Sequence, residues 1–204
     1  MFSSAALAAA ETCPPIEELR PLLNSERIEA CFGSYGVEVL CQDGGWRVSS
    51  LYSFGKAGTR VTRTLAVTHF REQVPADLDS VLKLIRDGAS IGATLKANGW
   101  AVSKSGLYIG EVPMPDDFRQ MINTDTEDPA EASTAAVFVY DLSAHRNGVD
   151  AQIATIAEMY DPRYLTLSSL EKINGPGPQM SKQSEGMPVN LLKPLTHPVS
   201  GCQK

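Results

Sequence analysis

The sequence lacks the features that define several large classes of protein. It has no apolar run near the roughly 20 residues that a transmembrane helix needs. Its three histidines show no metal-ligand spacing, and it contains neither a Walker loop nor a G-x-G-x-x-G motif. We therefore expect no metal, no other cofactor and no membrane partner.

Positive charge is also in short supply. The 204 residues include 18 Lys and Arg against 24 Asp and Glu, which gives a formal net charge of −6. A phosphate backbone requires clustered Lys and Arg, so we expect no nucleic-acid partner. An anionic small ligand would need a cation that the fold holds locally. The oligomeric state stays open.

Cysteine is sparse and shows no functional spacing. Cys13, Cys31, Cys41 and Cys202 form no C-x-x-C pair and have no nearby His. A core of this size needs no covalent staple, so we expect reduced thiols in a cytoplasmic protein. The opening "MFSSAALAAAETC" lacks a cationic n-region, although an exported protein is the alternative if residues 1–13 are part of a signal.

Local patterns predict one α+β domain, built on a single antiparallel β-sheet with helices inserted between hairpins. We assign a leader to residues 1–14, the domain to residues 15–173, and a mostly disordered tail rich in Pro, Gly and Ser to residues 174–204. The Asn147-Gly148 pair predicts a tight turn in the longest hairpin.

The predicted strands and helices follow one another without an internal repeat. The predicted helices are "PPIEELRPLL", "NSERIEACF", "VPADLDSVLKLIRDG", "ASIGATLKANG", "MPDDFRQMIN" and a last short helix that follows a turn within "DPRYLTLSSLEKI". The predicted strands form a meander of "VEVLCQ", "WRVSSLYSF" and "RVTRTLAVTHF", a hairpin of "WAVSK" and "LYIGEV" turning at "SG", and a hairpin of "AAVFVYDLSAHR" and "VDAQIATIAEMY".

Three charged residues stand inside predicted strands. Glu158 interrupts the apolar run of "AQIATIAEMY", so either this face of the strand meets water or the acid points into a ligand site. Arg47 and Arg63 lie on the same predicted meander, and a guanidinium fork suits a carboxylate. The alternative is that both arginines are ordinary surface residues.

In order along residues 25–165, these elements resemble the chorismate lyase family, whose sheet is shared by the effector-binding domains of some bacterial repressors. The similar segments are "RIEACFGSYGVEV", "RVSSLYSFGKAGTRVTRTLAV", "ASIG" and "IATIAEMYDP". Here Ile91 and Ser90 replace the family's Leu and Pro. The resemblance implies a chorismate lyase-like fold with no cofactor.

The resemblance also implies roles for five residues. Arg47 would bind a substrate carboxylate, with Arg63 nearby, Glu158 would be the catalytic acid, and Ile28 and Ile91 would contact the ring. We expect apolar neighbours to raise the pKa of Glu158 and keep it protonated.

Two functions fit this resemblance. The first is a chorismate pyruvate-lyase that makes 4-hydroxybenzoate, and the second is a non-catalytic module that binds a small aromatic or carboxylate ligand.

Overall fold

The computed structural model describes residues 13–43, 45–55, 58–123 and 131–175. Most of the predicted leader and tail lies outside these ranges. No helix within them has the length and apolar content that crossing a bilayer requires.

One six-stranded antiparallel sheet forms the centre of the fold. Its strands are β1 (Gly36–Asp43), β2 (Trp46–Phe54), β3 (Arg60–Phe70), β4 (Ala101–Pro113), β5 (Thr134–Arg146) and β6 (Val149–Tyr160). Their spatial order is β1-β2-β3-β6-β5-β4, so two three-stranded meanders meet where β3 pairs with β6. This arrangement confirms the predicted α+β class with a single antiparallel sheet.

In the described part of the chain, six α-helices connect or flank the strands. They are α1 (Ile16–Leu19), α2 (Asn24–Phe32), α3 (Asp79–Arg86), α4 (Ile91–Ala97), α5 (Asp116–Ile122) and α6 (Leu167–Asn174). A short 3-10 turn precedes α3. Because β3 lies at the centre of the sheet and β4 at its edge, the connection that carries α3 and α4 crosses one face of the sheet.

Alternation along the strands divides the apolar residues between two cores. Tyr140 and Ile156 belong to the face that packs against α1, α2, α3, α4 and α6. Val139 and Met159 belong to the opposite face, which packs against α5. Glu158 has the same parity as Ile156, so it lies on the face that most of the helices cover.

The β5–β6 hairpin turns at Asn147 and Gly148 as predicted. Both residues have positive φ, 52° and 82°, which is the requirement of the type I′ turn that Asn-Gly favours. This turn sets the register beside it, and a shift of one residue between Leu142 and Ser143 then sets the pairing of Glu158 with Phe138.

The predicted hairpin between "WAVSK" and "LYIGEV" is wrong, because β4 runs through it without turning. Gly106 pairs with Tyr140 and Tyr108 pairs with Val139, so the register shifts by one residue between them. A glycine inside a strand marks a bulge as readily as a turn. Ser105 and Gly106 therefore bend β4 but do not end it.

The expected reduced thiols are also contradicted. Cys13 and Cys31 form a disulfide, and Cys41 is disulfide-bonded as well. Cys31 lies on the buried side of α2, and the bond fastens the chain before α1 to that helix. The size of the core does not forbid such a bond, because a disulfide acts mainly on the unfolded chain.

Removal of the Cys13–Cys31 bond should destabilise the protein. For a loop of this length, with a sequence separation of 18, the chain-entropy model gives about 3 kcal/mol. We expect the double variant Cys13→Ser, Cys31→Ser to lose about that much free energy of unfolding in urea titrations under non-reducing conditions. An unchanged urea midpoint would show that the bond contributes nothing.

Candidate functional site

A cavity lies between the sheet and the first turns of α2 and α4. The space that no atom fills within its outline is about 550 Å³ when open solvent is included. Its residues are Leu23, Asn24, Ser25, Tyr35, Val37, Arg47, Ser49, Leu51, Ala66, Thr68, Ser90, Ile91, Gly92, Lys104, Tyr140, Leu142, Ile156 and Glu158.

Small side chains on the central strands leave room for the cavity. Ser49 on β2 and Ala66 and Thr68 on β3 all line it, next to Arg47. Larger apolar residues in these positions would fill the space below α2 and α4. The combination of an apolar wall and a few polar groups is typical of a small-molecule site.

Glu158 is buried in this cavity and does not face water, so the solvent-facing alternative is wrong. The residue is 3% exposed. Asn24 Nδ2 donates to its Oε1 at 3.1 Å, and the Tyr160 hydroxyl donates to its Oε2 at 2.6 Å. The amide of Asn24 is oriented in turn, because its Oδ1 accepts a hydrogen bond from the Tyr164 hydroxyl at 3.0 Å.

Lys104 completes the surroundings of this carboxyl group. Its Nζ lies 3.8 Å from Glu158 Oε2 and 4.3 Å from the ring centroid of Tyr140. Burial lowers the pKa of Lys104, whereas the neighbouring Glu158 raises it. Two neutral donors and one cation thus meet at the carboxyl oxygens. The role of Glu158 as a catalytic acid stays a prediction.

The tyrosine hydroxyls remain hydrogen-bond donors. Burial raises the pKa of Tyr160 and Tyr140 well above its usual range, and the carboxyl group of Glu158 adds to the effect. A phenol with a raised pKa keeps its proton, so Tyr160 can hold Glu158 at any physiological pH.

Arg47 is buried in the same cavity and is 2% exposed, so the surface alternative is wrong for this residue. Its Nη1 donates to the carbonyls of Ile85 at 2.7 Å and Ala89 at 3.0 Å, and its Nε donates to Ser49 Oγ at 2.8 Å. The guanidinium therefore joins β2 to the corner between α3 and α4. Among the described residues nothing accepts a hydrogen bond from its Nη2.

Positive charge exceeds negative charge around the cavity. Arg27, 3% exposed, does not line the cavity, and among the described residues it donates to the backbone carbonyls of Leu19 and Arg20. It is close enough to Lys104 and to Glu26 to lower the pKa of each. Within the described ranges, neither Arg27 nor Arg47 has a carboxylate at ion-pair distance, and Glu158 is the one acid that lines the cavity.

Three of the five residues expected in the site line this cavity, namely Arg47, Ile91 and Glu158. Ile28 does not, because its side chain is fully buried in the core between α2 and the sheet. The residues of α2 that line the cavity are Asn24 and Ser25, one turn earlier.

Arg63 also lies elsewhere, although it is not the surface residue of the alternative. Its Nη1 binds Asp161 Oδ2 at 3.0 Å, and its guanidinium lies 3.8 Å from the ring centroid of Phe32. Asp161 is fully buried and also accepts hydrogen bonds from Arg163. This cluster fastens the end of β6 to β3, so its role is structural.

Sequence reasoning missed Lys104 and Asn24. Lys104 is the last residue of the predicted strand "WAVSK", and its parity with the partly buried Val102 indicates the inner face. Asn24 is the first residue of the predicted helix "NSERIEACF", where it carries no local signal of a site. In the structure it is the first residue of α2, and its side chain reaches Glu158, 134 residues later, which no local pattern can predict.

Comparisons with known proteins leave the family of this chain open. No family model matches the sequence, and no curated protein is similar enough to count as a relative. Within the described ranges, no group of three or more His, Cys, Asp or Glu side chains could hold a metal ion.

Loss of the Asp161 carboxylate should destabilise the fold strongly. Asp161→Ala leaves the largely buried Arg63 without its ion-pair partner, and breaking a buried pair costs about 3 to 5 kcal/mol. Urea titration of the variant checks this value. A loss below about 1 kcal/mol, the range of surface ion pairs, would contradict the structural role.

Proposed function

We propose that this cavity binds a small ring-bearing carboxylate. The observation that carries the proposal is the excess of positive charge on the described cavity wall: Arg47 and Lys104 line it, whereas Glu158 is the one acid there. A buried charge without a partner is costly, so an anionic ligand would stabilise the site as it enters.

Arg47 supplies the anchor for the carboxylate. Its Nε and Nη1 are held by the protein, which fixes the guanidinium and leaves Nη2 to donate to a ligand oxygen. The first-turn N–H groups of α2, near Asn24 and Ser25, have no intrahelical acceptors and add positive potential at the same cavity.

The remaining walls suit a ring with a polar substituent. Leu51, Leu142 and Ile156 offer apolar contact, while Glu158 and Lys104 offer an acceptor and a donor. A hydroxyl or ether oxygen on the ring could bond to either group, which favours a hydroxylated aromatic acid or a related cyclic acid.

Catalysis of pyruvate loss from chorismate is the second candidate. Chorismate carries two carboxylates and an enolpyruvyl ether, and its conversion to 4-hydroxybenzoate and pyruvate needs productive binding and one assisted proton transfer. The observation that favours this reaction is that Arg47 and Glu158, implied separately by the resemblance, line the same cavity. Lys104 adds a second cation for the second carboxylate.

The disulfide bears on the compartment in which this binding occurs. Disulfides persist in oxidising compartments and are rare in the cytosol. The Cys13–Cys31 bond therefore supports the exported alternative over the cytoplasmic one.

Replacement of Arg47 should weaken carboxylate binding. A hydrogen bond to a charged group contributes about 1.5 to 3 kcal/mol, so we expect Arg47→Met to lose at least about tenfold in affinity for 4-hydroxybenzoate by calorimetry. Arg60→Met, at an exposed arginine that does not line the cavity, is the matched control. Equal affinity in both variants, with each folded by circular dichroism, would contradict the role of Arg47.

The catalytic candidate makes a separate prediction about Glu158. Glu158→Gln preserves the shape of the side chain but removes its proton-transfer group, so pyruvate release from chorismate should fall by about 100-fold or more while 4-hydroxybenzoate still binds. A coupled assay for pyruvate measures this. Absence of turnover in the wild-type protein would leave binding as the function, and full activity in Glu158→Gln would remove that residue from the mechanism.

A further inference from the structure

We propose that Lys104 captures carbonyl compounds as an imine, so that the ligands of this cavity include oxo acids that carry a carboxylate and an aldehyde or ketone group. That the carboxylate of such a ligand binds Arg47 depends on the proposed function. That its carbonyl group reacts with Lys104 is inferred from the contacts of Lys104 itself.

The amine of Lys104 is placed as a nucleophile. It lines the cavity, and its side chain is 18% exposed. Among the described residues it makes no hydrogen bond: its contacts are the ion pair with Glu158 at 3.8 Å and the ring of Tyr140 at 4.3 Å. The nitrogen can therefore approach a ligand carbon without first breaking a short hydrogen bond.

The surroundings also make it easier for the ammonium group of Lys104 to lose a proton. Burial lowers the pKa of Lys104, and the buried Arg27 lowers it further, against the opposing effect of Glu158. A lysine that reacts with carbonyl groups is activated in this manner, by desolvation and by a neighbouring cation.

Glu158 can carry the proton that the reaction moves. It takes a proton from the ammonium group, the neutral nitrogen attacks the carbonyl carbon, and the C=O electron pair moves to the oxygen. After a proton shifts from nitrogen to that oxygen, Glu158 returns its proton to the hydroxyl, which leaves as water. The products are an iminium ion and one water molecule, with no change of oxidation state, and the iminium faces the carboxylate of Glu158.

Lys96 provides a matched comparison on the surface. Its Nζ lies 2.7 Å from Glu26 Oε1, and its side chain is 44% exposed. It therefore has the usual hydration of a lysine and lies outside the cavity wall. Because a lowered pKa leaves more of the amine neutral, Lys104 should react faster than Lys96 near neutral pH.

The test is reductive trapping with 4-formylbenzoate and cyanoborohydride on the full-length protein. Intact mass should show one adduct, peptide mapping should place it on Lys104, and excess benzoate should suppress it. Lys104→Arg and Lys104→Met should remove this adduct, whereas Lys96→Arg should retain it. Benzaldehyde, which has no carboxylate, should label at least about tenfold more slowly if Arg47 anchors the probe.

The outcomes separate this inference from the proposed function. Benzoate binding without an adduct on Lys104, or an adduct of equal yield in the folded Lys104 variants, would overturn the imine and leave carboxylate binding intact. An adduct on Lys104 that benzoate does not suppress and that benzaldehyde forms equally well would support the imine but contradict the carboxylate anchor.

Discussion

The arrangement of the cavity depends on the buried carboxyl group of Glu158 and on the side chains that contact it. Asn24 reaches it from α2, Tyr160 from its own strand, and Lys104 from the far edge of the sheet. Tyr164 holds Asn24 in turn. A change in register of β4 or β6 would separate these groups, so the site and the sheet are specified together.

Charge and shape of the cavity follow from two further constraints. Small residues at Ser49, Ala66 and Thr68 keep the centre of the sheet open. Arg47 Nη1 holds the crossing connection, which supports the roof of the cavity, and Nε binds Ser49 on the same strand. Among the described residues, Nη2 has no acceptor. The same guanidinium therefore supports the cavity and is the anchor that we propose for a carboxylate.

Local patterns predict most of the fold because its elements end at strong signals. Asn147-Gly148 defines one hairpin, and apolar periodicity defines α3. Predictions fail where one sequence pattern is compatible with two structures, as a glycine is with a turn or with the bulge at Gly106. They also fail where a residue contacts a partner that is distant in sequence. Arg47 and Arg63 look alike in a strand pattern, and only the tertiary position of Asp161 makes Arg63 structural.

The central claim is that uncompensated positive charge in the cavity selects a carboxylate. Calorimetry on the wild-type protein with benzoate and with benzamide, two ligands of similar shape that differ in charge, tests it most directly. The account predicts that benzoate binds at least about tenfold more tightly and that the difference persists at high salt, because the charges are buried. Equal affinities, or tighter binding of benzamide, would contradict it.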